Sequence, residues 1–215
     1  MTFELSPTTP GQKHDDKGLS FWPTPVPVIR AVLEEHPPPK GLWMVEPSAG
    51  EGPIAKELAA RGHRVTAIEV REECEGPLEE ILPASDGHEV IIADWLRWKP
   101  FPLNRDGLPI DGLSTVPIGS CANPPYAPPE ECLAHVHRML KMKPVWMAWL
   151  LPLAFVASID RAHLLDLYPP AYVRPLVPRP KFAPEGGGMR DVAWHIWLPG
   201  NQNSTFKPLW WKQYV

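Results

Sequence analysis

Four short apolar runs recur along the first 125 residues, and each ends on a side chain able to accept hydrogen bonds. Leu42 to Val45 leads into Glu46, Val65 to Ile68 into Glu69, Glu89 to Ala93 into Asp94, and Pro117 to Ala122 into Asn123. Runs this short, bounded by turn formers, have the length of buried strands. Helical patterns fall before and between them. Pro25 or Pro27 suits a first helical turn with Thr24 as its cap, and Val28, Ile29, Val32 and Leu33 then share one face before Pro37-Pro38-Pro39. Pro53 opens a second helix over Ile54 to Ala60, with Gly62 at its end. Glu130 and Glu131 begin a third that finishes with Arg138, Lys141 and Lys143, charges matched to the helix dipole. Val145 to Leu151 reads as a fifth strand, Ser158 to Leu167 as a helix, and Tyr172 to Val177 with Val192 to Leu198 as an antiparallel pair. This alternation predicts an α/β fold, a doubly wound and mostly parallel sheet closed by an antiparallel strand.

A chain of 215 residues with a formal charge of −4 is one domain's length and offers no bulk attraction to nucleic acid, so a polyanion would need a local basic patch. Residues 1–20 are polar and aperiodic and are expected to form a loose arm, leaving 21–215 as a single domain. No apolar run reaches membrane length, and no signal-peptide core is visible. Cys74, Cys121 and Cys132 have neither disulfide parity nor zinc spacing, which points to a reducing, cytoplasmic setting without a metal site.

In an open α/β sheet ligands bind beyond the carboxyl ends of the strands, where Glu46, Glu69, Asp94 and Asn123 are all expected. Gly50 and Gly52 follow the first strand and would let the backbone approach a ligand closely. An acid roughly 20 residues further on, Glu69, is placed to accept hydrogen bonds from two ribose hydroxyls. Asp94 would meet the exocyclic amine of an adenine, with Trp95 or Ile68 flanking the ring, although Asp also commonly starts turns after strands. Asn123-Pro124-Pro125-Tyr126 carries the most specific chemistry. The prolines remove two backbone donors, so the Asn123 side-chain oxygen and the Pro124 carbonyl can together accept both hydrogens of one planar amino group. That draws the nitrogen lone pair out of conjugation, and Tyr126 offers a face for a stacked base. A proline-rich turn closing a strand is the plainer alternative.

Glu46-Pro47-Ser48-Ala49-Gly50-Glu51-Gly52 together with Asn123-Pro124-Pro125-Tyr126 resembles the motif pair of S-adenosylmethionine-dependent amino-methyltransferases, especially the N6-adenine DNA methyltransferases. The stretch holding Phe21, Thr24 and Pro25 is similar to that family's N-terminal segment, which helps hold the methionine end of the cofactor. The similarity spans about residues 21 to 155 in motif order. It implies a class I, Rossmann-like methyltransferase fold, cofactor contacts from Glu46, Ser48, Gly50, Gly52, Glu69 and Asp94, and attack of an adenine amine on the sulfonium methyl. A base within a duplex would first flip out onto Tyr126. The family's separate target-recognition domain has no room here, since only the 99–116 and 178–191 loops are available. A compact enzyme with a short or relaxed recognition site matches best.

Arg174, Arg179, Lys181 and Arg190 surround Phe182 and a Gly186-Gly187-Gly188 run, a composition suited to a phosphate backbone and a splayed base, or to an ordinary exposed hairpin loop. The tail Trp210-Trp211-Lys212 is equally two-sided, with packing on the sheet edge the expected role for its tryptophans. DNA is therefore the expected partner. A methyltransferase acting on RNA or on a protein glutamine, or a nucleotide-binding module without catalysis, is the alternative.

Overall fold

Five strands lie side by side and parallel, in the order β5-β4-β3-β6-β7. They are β3 (Trp43–Pro47), β4 (Arg64–Glu69), β5 (Glu89–Ile92), β6 (Ile118–Ala122) and β7 (Trp146–Pro152). Beyond β7 the sheet continues with β9 (Val192–Trp197), antiparallel to both β7 and β8 (Tyr172–Val177). Two short strands, β10 (Thr205–Phe206) and β11 (Leu209–Trp210), pair parallel with β8 and form that edge. The computed structural model describes residues 13–14, 20–21, 23–99, 117–182 and 191–214. Among them β1 (Lys13–His14) and β2 (Ser20–Phe21) form a separate antiparallel ribbon, so part of the expected loose arm is paired.

The helices are α1 (Val26–Glu35), α2 (Pro53–Ala59), α3 (Glu75–Ile81), α4 (Pro129–Lys141) and α5 (Ala162–Leu167). A sheet covered on both faces explains why its strands are apolar throughout rather than alternating. Along β7, Trp146, Ala148 and Leu150 enter the core layer shared with α1, α2 and α3, while Met147, Trp149 and Leu151 enter the layer shared with α4 and α5. Each such burial contributes about 1.5–3 kcal/mol. The buried indoles are all tethered. Trp149 Nε1 donates to Ser120 Oγ at 2.9 Å, and Ser120 Oγ donates to the Val45 carbonyl at 2.7 Å, a relay that crosses β7, β6 and β3. Trp146 donates to the His36 carbonyl at 3.1 Å and Trp194 to the Val28 carbonyl at 3.2 Å, so α1 anchors two strands. The Tyr214 hydroxyl reaches Glu35 on the same helix.

Several local expectations need correction. Pro25, not Thr24, is the N-cap residue of α1, and no side chain caps that helix. The 158–167 stretch starts as 3-10 turns and becomes α-helical only at Ala162. Helix α3 has little apolar periodicity to reveal it: Leu78 is its one fully buried side chain, among five glutamates in the 72–80 stretch. Trp211 packs on the α1-side core and donates to the Pro178 carbonyl, as an edge role requires, but Trp210 stands 63% exposed. Among the described residues no helix is long and apolar enough to cross a membrane, and no group of three or more His, Cys, Asp or Glu converges on a metal-sized site.

Candidate functional site

A cavity of about 1000 Å³ opens at the carboxyl ends of the parallel strands. Strand order reverses between β3 and β6, the switch point at which open α/β sheets bind ligands. The turn after β3 forms one wall. Ser48, Gly50 and Gly52 all adopt the left-handed region, with φ of +64°, +61° and +79°. Ser48, Ala49 and Gly50 line the cavity, as the close-approach expectation requires of Gly50. Gly52 does not line it. A Cβ there would sit 2.8 Å from Leu78 Cδ2 and closer still to Ile81 Cδ1, so this glycine makes room for α3 rather than for a ligand.

Glu69, 4% exposed, closes β4 and is already well supplied with donors. Its Oε2 accepts from the Gly50 amide at 2.7 Å. Its Oε1 accepts from the Val70 and Arg71 amides at 3.0 and 3.1 Å, and from Arg71 Nε at 3.0 Å. Burial works against the Arg71 charge, and the Glu69 carboxylate more than restores it, leaving the guanidinium pKa above its ordinary value. Glu69 therefore holds the glycine turn while also lining the cavity. Arg71 escaped the sequence reading, and its signal was only its place two residues after a strand-end acid.

Glu46 closes β3 and is 1% exposed, yet its Oε2 has no hydrogen-bond partner. Desolvation first, and the neighbouring Glu69 carboxylate second, push its pKa well above the usual carboxylate range, with the Ala55 amide pulling the other way. A buried acceptor without a donor is costly, and this one lines the cavity. A cationic or amine-bearing ligand would complete it.

Asp94 behaves mainly as a turn former. Oδ1 accepts from the Leu96 amide at 2.8 Å, and Oδ2 lies 3.3 Å from Arg97 Nε, though Asp94 too lines the cavity. Trp95 is buried beside it as a flat wall, with the Arg138 guanidinium 4.8 Å from its ring centroid. Ile68 also lines the cavity, so the two ring-flanking residues expected from sequence come together.

Asn123, Pro124 and Pro125 reach the same cavity from β6. Asn123 Nδ2 donates to Thr24 Oγ1 at 3.0 Å, a contact between residues 99 apart in sequence. With Nδ2 turned to Thr24, Oδ1 is the opposite edge of the amide. Thr24, expected as a helix cap, thus orients the Asn123 side chain, and it lines the cavity together with Pro23. Pro25 is not among the lining residues, and Phe21 belongs to β2. Tyr126 is half-buried against both core layers, its hydroxyl donates to the Leu150 carbonyl at 3.1 Å, and it too is absent from the lining.

The expected substrate loop is only partly as read. Phe182 is 6% exposed and packed in the α1-side core, so its ring is not presented to a base. Arg179 pairs with Asp191 at 2.6 Å on the surface, and Lys181 is exposed. Arg190 and the triple-glycine run lie outside the described residues.

No protein-family model and no curated protein matches this sequence. Solved structures do. The 23S rRNA methyltransferase ErmE superposes with a TM-score of 0.59 at 20% identity, over 85% of this chain and 71% of that one. A modification subunit assigned to a type I restriction enzyme of Vibrio vulnificus YJ016 matches with a TM-score of 0.56 at 17% identity, over 82% of this chain and 44% of that one. The Pyrococcus abyssi tRNA (uracil-54, C5)-methyltransferase, solved with S-adenosyl-L-homocysteine, gives 0.53 at 16% identity, over 80% and 37%. The fold is that of the class I methyltransferases. In this class I arrangement the β3 turn, the β4 acid and Asn123-Pro124-Pro125 all reach one cavity.

Proposed function

We propose that this protein transfers a methyl group from S-adenosylmethionine to the exocyclic N6 amine of adenine in DNA. The observation that carries this reading is the convergence of Asn123-Pro124-Pro125 and the Glu46-to-Gly50 turn on one cavity, from strands on either side of the switch point. The donor set fits the cofactor: Glu46 Oε2 is a buried acceptor facing the cavity and suits the cofactor's ammonium group. Gly50 leaves room for a close approach, Glu69 is the ribose acceptor, and Trp95 and Ile68 bracket an adenine ring.

When bound, S-adenosylmethionine supplies an electrophilic methyl on its sulfonium. Asn123 Oδ1 and the Pro124 carbonyl accept the two hydrogens of the target amine. Those bonds restore the nitrogen lone pair and strengthen as positive charge grows on nitrogen, so they act mainly in the transition state. A C–N bond forms as the S–C bond breaks, and the ammonium proton then leaves to solvent. Thr24 holds the Asn123 amide in register for this.

An amine in RNA is the second reading, because two of the similar structures act on rRNA and tRNA. Incubation with methyl-labelled S-adenosylmethionine and unmodified DNA, RNA or protein, followed by digestion, tests both. N6-methyldeoxyadenosine is the expected product. Labelled N6-methyladenosine from RNA would move the assignment to RNA, and a folded, cofactor-bound protein that labels no nucleic acid would reject it.

A further inference from the structure

The edge of the sheet farthest from the cofactor turn has a different electrostatic character from the remainder. Among the described residues 171–182 and 191–214, four exposed Lys and Arg (Arg179, Lys181, Lys207 and Lys212) stand against one acid, Asp191, whereas the whole chain carries 21 against 25. Around the cavity the acids Glu69, Asp94, Glu130 and Glu131 outnumber Arg71 and Arg97. A polyanion is repelled from that side and drawn to the β8 side.

Topology brings the basic edge to the correct rim. Strand β8 runs parallel to β7, since both are antiparallel to β9, so its end and Arg179 reach the rim that carries Asn123. Strand β11 runs parallel with β8 and sets Trp210 opposite Val177 at the same end. Leu209 turns into the α1-side core, and strand alternation turns Trp210 outward. Phe206, of the same parity on that edge, is 62% exposed. The two rings are spaced about 13 Å apart at roughly 3.3 Å per residue. Lys212 follows Trp210 in an exposed position, and Lys181, exposed beside the inward-facing Phe182, lies just past β8. From β11 to β6 is four inter-strand spacings, on the order of 19 Å, a length that a few unpaired nucleotides cover.

We propose that this edge is a track for an unpaired polynucleotide strand, with bases stacked on Phe206 and Trp210 and phosphates held by Lys181 and Lys212, leading the strand to Asn123. The inference rests on the proposed methylation of a base amine. Exposed aromatics interleaved with lysines are what sequence-tolerant binding of single strands requires. A second copy of this chain is disfavoured as the occupant, because edge-to-edge pairing would oppose like charges.

Fluorescence anisotropy with a labelled single-stranded oligodeoxynucleotide of about 16 nucleotides, and with its duplex, tests the track. Trp210→Ala should weaken single-strand binding by about 10- to 100-fold, and Trp210→Phe should retain most of it. Lys181→Ala with Lys212→Ala should lower the slope of log affinity against log salt by about 1.4. Melting temperature and S-adenosylmethionine affinity should be unchanged in all three variants. Undiminished oligonucleotide binding by folded Trp210→Ala would overturn the proposal. So would sedimentation showing that Trp210 instead mediates self-association while oligonucleotide affinity is unaffected. Wild-type protein inert towards every nucleic acid would reject the methylation reading itself, whereas active wild type with an indifferent Trp210→Ala rejects the track alone.

Discussion

The ends of β3 and β4 carry the same residue type at adjacent positions, both nearly sealed from solvent, and the protein treats them in opposite ways. Glu69 on β4 accepts four hydrogen bonds from its own chain. Glu46 on β3 has one oxygen with no partner at all. The first carboxylate is held by the scaffold while it lines the cavity as the proposed ribose acceptor, and the second is complete only with a ligand. Tyr126, whose hydroxyl is tied to Leu150, stands off the cavity, whereas Asn123, tied to Thr24, lines it. Burial alone does not distinguish a polar group that serves only the scaffold from one that also faces a ligand; its place on the cavity wall does.

The contrast breaks most visibly at Glu69. Glu69→Ala removes the acceptor of three backbone amides and of a nearly buried guanidinium, and should cost about 3–5 kcal/mol of stability. Chemical denaturation measures it; a loss below about 1 kcal/mol would mean the scaffold role is wrong. Asn123→Ala should instead leave melting and cofactor affinity nearly unchanged and cut turnover by about 100- to 1000-fold, which single-turnover methyl transfer resolves. Full activity in that variant would leave the tetrapeptide a mere turn.

Glu46→Gln is the matching change on β3. Stability should stay within about 1 kcal/mol, while S-adenosylmethionine binding weakens by roughly 10- to 100-fold in calorimetry. The pH dependence has a definite sign. Because the folded pKa of Glu46 lies above its unfolded value, the ligand-free protein loses stability as pH rises through it. Cofactor affinity should climb over the same interval, as the carboxylate forms, and Glu46→Gln should flatten both curves. The smallest effect belongs to Tyr126→Phe, which forfeits one hydrogen bond to Leu150 and should cost about 0.5–1.5 kcal/mol in melting with turnover retained. A large drop in turnover would instead put that hydroxyl in the reaction.

Strand ends were legible in the sequence because a β-strand followed by Glu, Asp or Asn beside Gly or Pro is a local pattern. Strand positions, the mostly parallel sheet and the antiparallel pair of β8 and β9 followed from it. What sequence concealed was which partner each side chain takes across the fold. Thr24 before two prolines reads as a cap, yet its acceptor role is met by an amide 99 residues away. Gly52 beside Gly50 reads as ligand clearance, yet the space it leaves belongs to α3, a helix too weakly patterned to anticipate. Phe182 amid basic residues reads as exposed, and only the packing of β8 against α1 draws it inward.

Helix α1 has a consequence in time. Its apolar face, Val28, Ile29, Val32 and Leu33, is made before the sheet it packs on, and its Val28 carbonyl waits for the indole of Trp194, 166 residues downstream. At about 5–20 residues per second that partner emerges on the order of ten to thirty seconds later. Through that interval α2 and β3 can cover only part of the α1 face, and the helix completes its packing when β9 docks beside β7.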